Sequence, residues 1–259
     1  MRIKSLFVFA VVVAIGVIAA SPQAQAAVMG AISVNFSKAG DGNSTVSGNA
    51  GVYEAGNWNN CEATGTTLTT SNLIDDTGTA TAAELVRTTA GNVANFGYPY
   101  PGDPSTENAH LMHTYCDTYD NATSTFTITD IPYALYNLYY YHKAPNTITT
   151  RGIMVTVNGT AYYSHEYGTE FPGDATAGDF VEYHNTNETT AQASVGGNYM
   201  LLKGLSGDLT ILVQAPTSGW SSPGRAPTSG FQIVEVPEPA TMALMALGGL
   251  GLLLKRRRR

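Results

Sequence analysis

The residues of this chain best suited to chemistry are histidines, cysteines and carboxylates in short clusters. His165-Glu166-Tyr167-Gly168-Thr169 opens like the helix of a zinc protease, but Thr169 stands where a second histidine ligand is required and the neighbours read as strand or loop. Gly219-Trp220-Ser221-Ser222-Pro223 puts serine at the centre of a would-be nucleophile elbow, yet Pro223 replaces the glycine such a turn needs. His110, His113 and Cys116 are spaced by three. On a helix they would align as soft-metal ligands; on a strand His113 faces away from the other two, and strand is the reading their surroundings favour.

Carboxylates are frequent: Asp75 with Asp76, Asp117 with Asp120, Glu166 with Glu170, and Asp174, Asp179 and Glu182. A glycosidase needs two of them across a cleft at a set separation, which spacing along the chain does not supply. We therefore expect no catalytic residue, no metal-ligand set and no enzyme. A polysaccharide-active enzyme is the weakest alternative. Loop oxygens from Asp41, Asn43, Asp117, Asp120 and Asn121 would suit a structural calcium, although no EF-hand spacing exists and turn chemistry accounts for such residues without an ion.

Fifteen Tyr and two Trp offer flat faces for stacking on sugar rings. Most belong to alternating strand positions, as Tyr136, Tyr139, Tyr140 and Tyr141 do, and Trp58 packs inward on this reading. Tyr98 and Tyr100, in Tyr98-Pro99-Tyr100-Pro101-Gly102, and Trp220 in a Ser/Pro/Gly loop are harder to bury. They form the carbohydrate platform we would expect if the chain is a carbohydrate-binding module.

Both ends of the chain are address segments. Arg2 and Lys4 precede the apolar run Leu6 to Ala20, and Ala24-Gln25-Ala26 supplies a small-x-small cleavage site, so 1–26 reads as a signal peptide and the mature chain begins at Ala27. At the other end Val236-Pro237-Glu238-Pro239 leads into the uncharged run Ala240 to Leu254, which the cations Lys255, Arg256, Arg257, Arg258 and Arg259 close. Fifteen helical residues span about 22 Å, thin for a bilayer core, so the crossing is short or transient. The five cations hold that end in the cytoplasm and leave the body outside.

This order of motif, short apolar helix and Arg-rich end resembles the PEP-CTERM sorting signal of Gram-negative and related bacteria. The resemblance implies that an exosortase-type membrane protease processes the chain near Pro237, Glu238 and Pro239. It also implies transit through the inner membrane and delivery of the body to the cell surface or an extracellular polysaccharide matrix.

The chain thus divides into a signal peptide (1–26), a body (27–235) and a sorting signal (236–259). Seven of the 13 Lys and Arg residues lie in the two end segments, but only Glu238 of the 20 acids does. The body therefore holds six cations against 19 acids, a formal charge of −13. That balance argues against nucleic acid or anionic lipid as a partner and suits cation-bridged association with a polymer. Two cysteines, Cys61 and Cys116, fit an oxidising compartment and lead us to expect one disulfide closing a loop of about 55 residues. Such a bridge is worth about 4 kcal/mol in the loop-entropy account.

The body alternates like strands. Thr125 to Thr129 places Phe126 and Ile128 on one face, and Leu135 to His142 places Tyr136, Leu138 and Tyr140 opposite Asn137, Tyr139 and Tyr141. Ile153 to Val157, Asn158-Gly159 and Thr160 to Ser164 read as a hairpin; Tyr199 to Leu202 and Leu209 to Ala215 flank a Gly204 to Asp208 turn. Ala31 to Phe36 and Gly230 to Glu235 open and close the body, Thr66 to Leu73 and Leu85 to Thr88 are fainter, and Ala109 to Cys116 also reads as a strand. No apolar stripe of helical period stands out. The expected fold is all-β: an antiparallel jelly-roll-type β-sandwich flanked by the signal peptide and a transmembrane sorting helix.

Ile32 to Phe36, Asn57-Trp58-Asn59-Asn60, Phe126 to Tyr141 broken at Ile131-Pro132-Tyr133, and Ser229 to Val234 resemble secreted β-sandwich proteins of the galactose-binding-like type. That likeness implies a fold more than a function. A non-enzymatic structural or adhesive role is the reading, with carbohydrate binding as the alternative.

Overall fold

Alternation along the chain decides most of this structure. The computed structural model describes residues 30–38, 40–62, 65–89, 106–119, 122–142, 152–165, 180–182, 184, 186, 197–215 and 225–237. Among these residues lie thirteen strands: β1 (Ala31–Ser37), β2 (Asn59–Glu62), β3 (Thr67–Thr70), β4 (Glu84–Thr89), β5 (Cys116–Tyr119), β6 (Thr123–Thr129), β7 (Tyr136–Tyr141), β8 (Gly152–Val157), β9 (Thr160–His165), β10 (Tyr199–Leu205), β11 (Leu209–Gln214), β12 (Arg225–Thr228) and β13 (Gly230–Glu235). A single turn of 3-10 helix covers Gly42–Ser44, and one α-helix, α1, covers Glu107–His113.

One sheet runs β10-β7-β13-β1-β2, a second β3-β4-β6-β11-β8-β9, and β12 pairs with β5 alone. Pairing is antiparallel except between β1 and β2. The all-β expectation holds. Alternation sets the buried faces: in β6 Ser124, Phe126 and Ile128 are buried while their neighbours are half-exposed, and β11 buries Leu209, Ile211 and Val213. These side chains meet Ile32, Val34, Phe36, Tyr136, Leu138, Tyr140, Phe231 and Ile233 from the five-stranded sheet in one hydrophobic core. Phe36 lies 5.2 Å from Phe126 and 6.1 Å from Phe231, ring centre to ring centre, and Phe231 stands edge-on to both. Each such buried side chain contributes about 1.5–3 kcal/mol from apolar area before the cost of ordering it.

The second face of the five-stranded sheet is covered as well. Tyr141 and Tyr199, register partners on β7 and β10, pack with Val46, Ala50, Trp58, Leu111 and Met112. The predicted split of β7 into Tyr136, Leu138 and Tyr140 against Tyr139 and Tyr141 is therefore what the two clusters show. At the predicted hairpin, Asn158 and Gly159 both take positive φ, 46° and 88°, which lets a two-residue turn follow the twist of β8 and β9.

The strand expected over Ala109 to Cys116 is corrected. Glu107–His113 is helical because Thr106 caps it, its hydroxyl accepting the Ala109 N–H at 3.2 Å with Glu107 in the first turn, and β5 begins only at Cys116. β2 and β12 fall where the sequence pattern predicts no strand, and of β5 only Cys116 lies in a predicted one.

Candidate functional site

The end of the body where its first and last strands lie together is the best-built site. β1 and β13 run antiparallel with Ala31 opposite Val234, so the first and last strands of the body are neighbours in the sheet. Glu235 N–H donates to Gly30 C=O at 2.8 Å, and Gly30 N–H donates to Glu235 Oε2 at 3.2 Å. Ala31 is held twice by Asp76: its N–H donates to Asp76 Oδ1 at 3.1 Å and its C=O accepts the Asp76 N–H at 2.8 Å. On the far side of β13, Val236 N–H donates to Leu135 C=O at 2.9 Å. The fold therefore grips the chain through Val236, and Pro237, which follows, is exposed and has no N–H to give.

Of the predicted sorting residues, Val236 and Pro237 are placed here. Glu238, Pro239, the run 240–254, the cations Lys255 to Arg259, and Ala24, Ala26 and Ala27 of the signal cleavage site lie outside the described residues. No helix among the described residues is long and apolar enough to cross a membrane.

Around this end Tyr133 is 8% exposed, and its hydroxyl has no hydrogen-bond partner among the described residues. Burial, then the charges of Asp75, Asp76 and Glu235, push this phenol well above its ordinary value, so it stays protonated. Asp75 is committed to its own turn, accepting from Thr77 N–H and Thr79 N–H at 2.9 Å each. Nothing in the local sequence marks this constellation, because Gly30, Asp76, Tyr133 and Glu235 meet only through the sheet.

Cys61 and Cys116 are free, buried thiols, so the expected disulfide is not what the structure shows. Both belong to the central core beside Arg87, itself fully buried. Arg87 points inward because it follows Leu85 by two on β4 and sits opposite Phe126. Its Nη1 donates to Cys116 Sγ at 3.1 Å and its Nη2 to Gly65 C=O at 2.6 Å, while Thr70 Oγ1 donates to Cys61 Sγ at 3.5 Å. Burial raises both thiols, Cys116 to about 12, although the Arg87 charge pulls each the other way. These are inert core thiols in this state, not nucleophiles.

His110, His113 and Cys116 each face a different partner. On α1, His110 Nδ1 lies 3.1 Å from Thr45 C=O and 3.6 Å from Glu107, and His113 Nε2 lies 3.6 Å from Asp41; Cys116 turns to Arg87. Asp41 caps the 3-10 turn by accepting the Asn43 N–H at 3.1 Å. Asp117 is buried on β5, and Asp120 and Asn121 lie outside the described residues. Among the described residues no group of three or more His, Cys, Asp or Glu could hold a metal ion. Glu182 lies 3.5 Å from the Tyr199 hydroxyl; Glu166, Glu170, Asp174 and Asp179 are outside the described set.

Tyr98, Tyr100 and Trp220, the predicted sugar platform, also lie outside the described residues. Trp58, as read from sequence, is structural: its Nε1 donates to Ala55 C=O at 2.9 Å and its ring packs on Tyr141. The strand ends bordering the platform segments are described. Thr89 pairs with Ser124 and Gln214 with Thr123, so β4 and β11 end together on either side of β6, about 10 Å apart by strand spacing.

The all-β body is held through Val236, and a C-terminal processing signal overlaps the end of its last strand. Residues 235–259 match the PEP-CTERM protein-sorting motif, which supports a substrate sorted by an exosortase and exported through the membrane. No curated protein and no solved structure matches the chain.

Proposed function

We propose that this chain is an exosortase substrate whose body, a jelly-roll-type β-sandwich, serves as a non-enzymatic structural or adhesive unit at the cell surface or in an exopolysaccharide matrix. One observation carries the reading: β13 ends at Glu235, where the matched sorting motif begins. The tail can be removed without taking a strand with it. The placement of β13 between β1 and β7 supports a closed jelly-roll arrangement, and the −13 formal charge of the body suits divalent-cation bridging to an acidic polymer. His110, His113, Asp41, Asp75 and Glu107 are held by caps, turns and helix contacts, which supports a non-catalytic body. Intact mass and cell fractionation test the sorting: the mature protein should lack residues 1–26 and the apolar tail and be found outside the inner membrane. A full-length tail retained in that membrane would refute it.

Carbohydrate binding is the second reading. It is favoured by the way β4 and β11, which precede Tyr98/Tyr100 and Trp220 in sequence, end at the same level on either side of β6. The body should then be retained on an immobilised polysaccharide, and Trp220→Ala or Tyr98→Ala should release it. Equal retention of the variants would remove this reading.

A further inference from the structure

We propose that the contact between Gly30 and Glu235 is a clasp that controls protease access to the sorting motif, so that tail removal proceeds through a locally opened end of β13. The inference rests on the exosortase reading above.

A protease takes its substrate as an extended, unpaired chain on both sides of the bond it cuts, so a segment hydrogen-bonded within a sheet must first come free. Here the segment entering the motif is bonded on both sides. Glu235 N–H is given to Gly30 and Val236 N–H to Leu135, while the Glu235 carboxylate accepts the Gly30 N–H. Only Pro237, Glu238 and Pro239 separate Val236 from the apolar run at Ala240, and three extended residues span about 10 Å. A membrane enzyme working within that reach meets the folded body at once. Releasing 234–236 lengthens the free chain without disturbing the phenylalanines at the centre of the core.

The clasp is built to open more easily than the sheet behind it. Gly30 is packed against Tyr133, whose ring carbon Cε1 would lie 2.8 Å and whose hydroxyl 3.0 Å from any Cβ placed there. The closed state thus needs glycine at 30. It also leaves the Tyr133 hydroxyl buried without a partner among the described residues, a cost that opening relieves. Local openings of this kind cost far less than global unfolding, and proteolysis follows their population when closing is fast.

The test is a pulse-chase of tail loss from the full-length protein in cells containing the processing protease, read by intact mass. Melting of the tail-less body and amide exchange at 233–236 are measured in parallel. Gly30→Ala and Asp76→Ala loosen the start of β1 and lie outside the motif; each should speed tail loss about two- to fivefold and raise exchange at 233–236. Tyr133→Phe removes the orphaned hydroxyl but keeps the ring, and should slow tail loss and exchange together. Should an alanine variant fail to fold, Tyr133→Phe still decides. Equal rates in all variants, or changes opposite in sign to exchange, would overturn the clasp. A wild-type tail that is never removed would instead overturn the sorting reading on which it rests.

Discussion

Arg87, itself buried, gives a hydrogen bond to Cys116 Sγ at 3.1 Å within the central core. A fully buried guanidinium held by a thiol and the carbonyl of Gly65 is bound to its site by every partner it has there. Arg87→Ala should lower unfolding free energy by about 3 kcal/mol, from lost packing and an orphaned carbonyl. Arg87→Met, which keeps the volume, should cost clearly less. Urea denaturation of the two variants measures the difference, and equal losses would mean that the cation itself carries the stability.

The same neighbourhood predicts the state of the thiols. Alkylation in denaturant without reductant should add two labels per chain, and no label should enter the folded body at neutral pH, because burial raises both thiols. A mass unchanged by alkylation in denaturant would mean a disulfide.

Gln232 ties three elements together. Its Nε2 donates to Ser33 Oγ at 3.0 Å and to Tyr53 C=O at 2.8 Å, and its Oε1 accepts from the Tyr141 hydroxyl. Gln232→Leu keeps the size but leaves these groups unpaired. It should cost about 2–3 kcal/mol. Thermal melting checks this, and a change under half that size would show that the groups find other partners.

Acid should weaken the link between α1 and the segment at Ser47 and Gly48. Burial alone would raise Glu107, but Ser47 N–H at 2.7 Å and Ser47 Oγ at 3.0 Å, with Gly48 N–H and His110, outweigh it and bring the carboxyl below its ordinary 4.5. A lowered folded value means stability that is complete above 4.5 and lost as pH falls through the folded value. Ser47→Ala should therefore lower stability at neutral pH, flatten the profile between about pH 5 and 3, and change it little below that range. A parallel downward shift at all pH values would contradict the assignment.

Gly159 has open space around it but a φ of 88°. Gly159→Ala should cost about 1 kcal/mol from backbone strain alone, measurable as a lower melting temperature.

How much of this was readable follows from what is local. Phe126 and Ile128 announce β6 by period two, and Asn158-Gly159 announces its turn, because each signal sits within a few residues. The helix at Glu107–His113 was misread since seven residues hold barely two turns, too few for a 3.6-residue stripe to outweigh the apolar look of Ala109 to Met112. Its Thr106 cap and Glu107 were the available signal. β4 reads faintly because Arg87 occupies an inward position where an apolar residue is expected, and β12 does not read as a strand because Pro227 interrupts it. The Gly30, Asp76, Tyr133 and Glu235 site has no sequence signature at all. Its members are spread over two hundred residues and meet through long-range register.

The position of β13 has a consequence for biogenesis. It fills the gap between β1 and β7, yet among the described strands it is the last to be synthesised. Until it arrives, the half-built layer presents two raw edges, each a template for a wrong neighbour. Closure of this sheet must therefore wait until the end of the body has emerged.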